Sequence, residues 1–132
     1  MVPCPRAQGL TLCDYVMREE GTRKLSLVGT FGALMVTGFP SESHPFWVFV
    51  SLTDGLGEGN MELTITQLST DEEIFAIRQA IRFPDRFADL EVLFRLDDCS
   101  FPEEGPYLFT LLVDDVVVAQ RRVPVYSVEE TT

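Results

Sequence analysis

The chain is short of positive charge, of cysteine and of long apolar runs, and each shortage removes a class of function. Ten Lys and Arg stand against 21 Asp and Glu among 132 residues, a formal net charge of -11. A phosphate backbone or an anionic membrane would have to bind against that field, so no nucleic-acid partner is expected. The basic clusters, Arg23-Lys24, Arg82 with Arg86, and Arg121-Arg122, are too short to track a nucleic acid. No segment reaches the roughly 18 consecutive apolar residues of a membrane helix, and no membrane insertion is expected. The start, M-V-P-C-P-R-A-Q-G-L, has neither the apolar core nor the length of a signal peptide, which favours a cytoplasmic location. The excess acid reads first as solubility.

The cysteines are three, Cys4, Cys13 and Cys99, an odd number without close spacing and a poor disulfide framework. If one pair forms, Cys13 with Cys99 is the better candidate, because Cys4 lies in a Pro-rich start. Free, buried thiols in a reducing compartment are the simpler account. With the single histidine, His44, the three would formally offer four zinc ligands, but the short Cys-x-x-Cys spacing of such sites is absent. His44, before Pro45, reads as a loop residue. Cys99, among Asp97, Asp98 and Glu103, has no base beside it, and the carboxylates oppose thiolate formation.

What the chain has is apolar alternation. Apolar residues make up 45% of it and include ten Phe, enough for one domain with its own core. Eight strands are expected. Leu10 to Val16 opens the series. Lys24 to Val36 is long and interrupted at Gly29 and Gly32, which predicts a bend that crosses between sheets. The glycines of G-T-F-G are not followed by Lys-Ser/Thr, which excludes a phosphate loop. Phe46 to Leu52 and Met61 to Leu68 flank the turn D-G-L-G-E-G-N and read as an antiparallel pair. In the second of these Met61, Leu63, Ile65 and Gln67 lie opposite Glu62, Thr64 and Thr66.

The segment from Ser69 to Phe83 carries two patterns. Thr70 with Glu73 matches a helix capping box, and Ile74, Ile77 and Ile81 have helical spacing. Phe75, Ile77, Ile81 and Phe83 also alternate, and in a strand-rich chain a strand over 74–83 is expected. Leu90 to Leu96, Tyr107 to Val113 and Val116 to Val125 complete the set; Pro124, without an N–H, implies an edge or a break in pairing. Such faces can be buried only against a second layer. The expected fold is all-β: an antiparallel sandwich, immunoglobulin-like or C2-like, over residues 10–126, with flexible ends at 1–9 and 127–132.

Asp114 and Asp115 sit inside L-L-V-D-D-V-V-V. If Val113 meets Val116, Leu112 meets Val117 and Leu111 meets Val118, the two acids are the turn of a hairpin, a conformation Asp tolerates. They also belong to a calcium set with Asp97 and Asp98, joined by Asp54, Glu58, Glu103 and Glu104, since Ca2+ takes several oxygens converging from loops. No contiguous D-x-D-x-D-G loop is present. Three functions follow. The leading one is a non-enzymatic protein-binding or assembly module, with a protein partner or a second copy meeting the edge at Val116 to Val125. The second is a calcium-binding C2-like module; Asp97, Asp98, Asp114 and Asp115 are its candidate metal residues and Ca2+ the only cofactor considered. The third is a small hydrolase with two acids beside an aromatic wall, for which Trp47 and Tyr107 are candidates, though core packing is their ordinary role. No catalytic residue is nominated.

Two stretches carry a resemblance. L-C-D-Y-V-M-R-E-E-G-T-R-K-L-S-L-V-G-T-F, Leu12 to Phe31, with the Phe39-Pro40 loop and F-W-V-F-V, resembles the front half of a family of small uncharacterised bacterial proteins. F-P-E-E-G-P-Y-L-F-T-L-L-V-D-D-V-V-V-A-Q-R-R-V-P-V, Phe101 to Val125, resembles that family's ending, a Gly-x-Tyr strand and a hairpin. Gly21-Thr22-Arg23-Lys24 departs from the family's Gly-Lys, and Asp114-Asp115 from its Asp-Gly. The resemblance implies an all-β sandwich and no transferable activity.

Overall fold

In the computed structural model, which describes residues 5–85 and 87–128, the chain is all-β. Its described residues form twelve strands, ten of them in two curled sheets packed into a sandwich. They are β1 (Arg6–Ala7), β2 (Thr11–Arg18), β3 (Leu25–Phe31), β4 (Leu34–Val36), β5 (Ser41–Glu42) and β6 (Phe46–Thr53). Then follow β7 (Gly57–Gln67), β8 (Glu72–Phe83), β9 (Leu90–Leu96), β10 (Ser100–Phe101), β11 (Gly105–Val113) and β12 (Val116–Ser127). Eight of these have seven residues or more and coincide with the alternating runs of the sequence. The other four, β1, β4, β5 and β10, are two or three residues long, too short to show a period.

The first sheet is centred on β6, with β9 along one side and β1 followed by β2 along the other; β3 lies outside β2. The second sheet runs β4-β12-β11-β7-β8, and β4 is parallel to β12. A two-residue ladder joins β5 to β10. The expected long strand from Lys24 to Val36 is divided: the chain leaves the first sheet after Phe31, passes Gly32 and Ala33, and enters the second at Leu34. Gly29 marks a close approach within β3. Its φ is +70°, and a Cβ there would stand 2.8 Å from Asp14 Oδ2 on β2.

Alternation closes the core. Val48, Val50, Leu52, Val92, Phe94 and Leu96 of the first sheet face Met61, Leu63, Ile65, Phe109, Leu111 and Val123 of the second, all buried. Their packing supplies most of the driving force for the fold. Gln67 shares the inner face of β7 as expected; its amide is satisfied by Glu103 Oε1 at 2.6 Å. Residues 74–83 are strand. The capping box at Thr70 is overridden because Asp71, at φ +59°, turns the chain back so that Glu72 pairs with Gln67. Ile74 is the extra residue in the register shift of that ladder.

One expected pairing and one expected register are corrected. Phe46 to Leu52 and Met61 to Leu68 do not pair, because the turn after β6 carries the chain across to the second sheet, where β7 lies between β11 and β8. Val113 meets Val116 and Leu112 meets Val117, but Leu111 meets Ala119, because a bulge leaves Val118 unpaired. Pro124 lies where β12 has only β11 beside it; β4 begins to pair at Val125. The segment expected to precede the domain contributes β1, and β12 runs to Ser127, which pairs with Val36. Residues 1–4, with Cys4, residue 86 and residues 129–132 lie outside the described residues.

Candidate functional site

The two acidic pairs occupy opposite ends of the sandwich. Asp97 and Asp98 follow Leu96, which pairs with Phe46 at the start of β6. Asp114 lines a cavity with Pro5, Leu56 and Gly57, beyond the far end of β6. β6 has eight residues, roughly 25 Å at about 3.3 Å per residue. Asp97-Asp98 and Asp114-Asp115 therefore do not combine into one coordination shell. Among the described residues no group of three or more His, Cys, Asp or Glu side chains is placed to hold a metal ion.

Asp114 and Asp115 form a two-residue turn with both φ positive, +48° and +66°, the pairing that suits the twist of a tight hairpin. Asp114 Oδ1 accepts the Asn60 N–H at 2.9 Å, and its own N–H donates to the Asn60 carbonyl at 2.8 Å. Gly59 makes room for this clasp: a Cβ there would meet Asp114 Oδ2 at 2.9 Å. Arg78 pairs with Glu62 nearby, and that carboxylate raises the Arg78 guanidinium still further above its ordinary value. The most enclosed cavity beside the turn, lined by Glu58, Phe83, Val113 and Asp114 among others, is about 90 Å3, against roughly 300–1,000 Å3 for ligand pockets. Two more open clefts along Asp114, one reaching Glu62, Arg78 and Asp115 and the other Ala80 and Arg82, are about 350 and 450 Å3.

The remaining candidates separate. Cys13 and Cys99 are both buried free thiols. Burial pushes the Cys99 thiol up to about 12; burial and then the Asp14 carboxylate raise that of Cys13. Neither is held as a reactive thiolate. His44 is a loop residue, its Nε2 2.9 Å from Asp14 Oδ1. Tyr107 is fully buried, edge-on to Phe101 at 4.9 Å. Its hydroxyl donates to the Glu103 carbonyl at 2.6 Å, back across the turn that leads into its own strand.

Trp47 behaves otherwise, and it leads to a surface that the sequence reading did not single out. Cross-strand partners share a face. The register places Cys13 beside Trp47, Trp47 beside Arg95, Phe49 beside Leu93 and Tyr15 beside Val28, all on the outer face of the first sheet. Tyr15 is 67% exposed, Met17 61% and Val28 41%. The Arg95 guanidinium lies 5.8 Å from the Trp47 ring centroid, at cation–π distance, and its Nε donates to Asp97 at 2.7 Å. A cleft of about 440 Å3 between Asp14, Tyr15, His44, Pro45, Trp47 and Arg95 opens at one end of this face. The outer face of the second sheet mixes Thr64, Thr66, Arg78, Thr110, Gln120 and Arg122 with Leu108, Leu112, Val117, Tyr126 and Met35, and it has no Trp beside an Arg. An outward-facing side with as many apolar residues as that of the first sheet normally belongs to an interaction surface. The signal was present in T-L-C-D-Y-V-M and F-W-V-F-V, where apolar residues occupy both faces of a strand.

A family model described as a family of unknown function, DUF6941, matches residues 8–126. No curated protein matches the chain.

Proposed function

The chain belongs to this family of unknown function, and from that premise we propose that it is a non-enzymatic protein-binding module whose contact surface is the outer face of the first sheet. The observation that carries the reading is the exposure of Tyr15, Met17 and Val28 beside Trp47 and Arg95. Tyr, Trp, Met and Arg are the residue types enriched at interfaces, and aromatic and Arg anchors dominate their energetics. The cleft at Trp47 would seat one such anchor of the partner, with Asp14 and Arg95 orienting it.

A photo-crosslinking residue at position 15 tests this in the native cells. A defined protein should be captured at position 15 and not at position 76 on the opposite face. For that protein, Trp47→Ala should weaken binding by about thirtyfold or more, the scale of a hot-spot residue. Capture of nothing at position 15, or binding indifferent to both Trp47→Ala and Tyr15→Ala, would overturn the reading.

The finer fold assignment we favour is immunoglobulin-like rather than C2-like. Tyr107 supports it, because a tyrosine at the start of a strand bonding back to the backbone a few residues upstream is the tyrosine corner of such sandwiches. Two buried free thiols suit a cytoplasmic location.

A further inference from the structure

We propose that β9 is a self-recognition edge, along which two copies of the chain pair antiparallel about a two-fold axis to join their first sheets into one. β9 pairs with β6 and with no other described strand, so its second side presents unpaired backbone groups. The other long edges are blunted. β3 carries Gly29 at φ +70°, β8 has a bulge at Ile74, and β12 has Pro124, the bulge at Val118 and a clasp from Arg121 to the Leu10 carbonyl at 2.7 Å. β9 has neither Gly nor Pro, no positive φ, and an unbroken register over all seven residues.

Its sequence, L-E-V-L-F-R-L, is complementary to itself in the antiparallel register centred on Leu93. When Leu93 meets Leu93 of the second copy, Glu91 meets Arg95 and Arg95 meets Glu91, all on the outer face. On the inner face Val92 meets Phe94 and Leu90 meets Leu96. A shift by one residue would set inner against outer residues. A shift by two in one direction would set Glu91 against Asp97 and Arg95 against Leu93; in the other, Arg95 would meet Asp89 beyond the strand end and Glu91 would face Leu93, so only the register centred on Leu93 pairs both charges within the strand. Glu91 is exposed and, among the described residues, has no ion-pair partner. Arg95 uses its Nε on Asp97 and keeps its two terminal nitrogens for a second carboxylate. Just beyond the ladder Asp89 comes opposite Asp97, whose charge Arg95 already offsets. The net charge of -11 on each copy opposes association, but at physiological ionic strength that repulsion is screened beyond about 8 Å while the edge pairs are in contact. The seven-residue edge is small, so the dimer is weak and two-fold symmetric.

Sedimentation velocity of the whole chain, up to about 1 mM, tests the proposal with two single variants. The wild type should dimerise reversibly as concentration rises. Glu91→Arg alone and Arg95→Glu alone set like charges opposite each other twice per dimer, and each should weaken association by about tenfold or more. Mixing the two variants should restore it, because one then carries two cations along the edge and the other two anions. The double variant carrying both changes should self-associate like the wild type. Unchanged circular dichroism of the exposed-site variants excludes a folding defect. A wild type that stays monomeric throughout, single variants that dimerise normally, or a mixture that fails to recover would each overturn the pairing. Because Tyr15 and Trp47 are untouched, crosslinking at position 15 in Glu91→Arg reports the partner-binding face separately.

Discussion

Asp114 and Asp115 show how a residue type with several chemical uses is assigned one of them by its backbone. Both have positive φ, a region where most residues lose roughly 1–2 kcal/mol and Asp loses less. Asp114 additionally accepts the Asn60 N–H in place of water. Asp114→Ala should therefore lower stability by about 1–3 kcal/mol, from the lost bond and the strained alanine together. Asp115→Gly should be neutral or stabilising by up to about 1 kcal/mol, since glycine takes that conformation freely and Asp115 makes no such clasp. Urea denaturation of the two variants checks the contrast. Equal losses would mean that the clasp contributes nothing. The turn was legible in L-L-V-D-D-V-V-V because its apolar arms match in length. The bulge at Val118 was not, because a one-residue slip within V-V-V leaves the composition of the arm unchanged.

At the scale of the element, Gly29 decides how β3 lies against β2. Its positive φ and the nearness of Asp14 leave no room for a side chain. Gly29→Ala should cost about 2 kcal/mol or more in thermal or urea unfolding, part backbone strain and part crowding. Asp14→Ala in the same chain should recover the crowding part. A loss unaltered by Asp14→Ala would place the whole cost in the backbone. The bend that the sequence predicted here is real, but its two glycines divide the work: Gly29 sits within the ladder and Gly32 at the crossing. β8 gives the complementary lesson. Ile74, Ile77 and Ile81 fit a helix and Phe75, Ile77, Ile81 and Phe83 a strand; pairing along the whole of β7 gives every residue of the strand but the bulged Ile74 a partner, which an isolated amphipathic helix would lack.

For the whole molecule, the buried thiol and phenol bear on stability at alkaline pH. Burial raises Cys99 to about 12 and also raises Tyr107, whose shift the Glu103 backbone bond partly opposes. For Cys99 the folded value exceeds the unfolded one, near 9.0, so the unfolded chain releases its proton first. Its contribution is complete below about pH 9 and declines from there to about pH 12, at up to about 1.4 kcal/mol per pH unit. Denaturant unfolding between about pH 8 and 11 should follow that decline. Cys99→Ala should be less stable at neutral pH and lose less on going alkaline. An identical slope in the variant would remove Cys99 as its source.

The sequence by itself determined eight strands, the inward residues of most of them and the turn at Asp114-Asp115, because period-two alternation and turn chemistry act between near neighbours. It left most strand neighbours open, and the one pair it joined across the D-G-L-G-E-G-N turn is divided between the two sheets. Only the tertiary structure decided that Asp97-Asp98 and Asp114-Asp115 stand at opposite ends, that Trp47 joins Tyr15 on an uncovered face, and that β9 keeps one side free. Alternation encodes the face on which a residue lies, whereas sheet order depends on packing two curled layers against each other over the length of the chain.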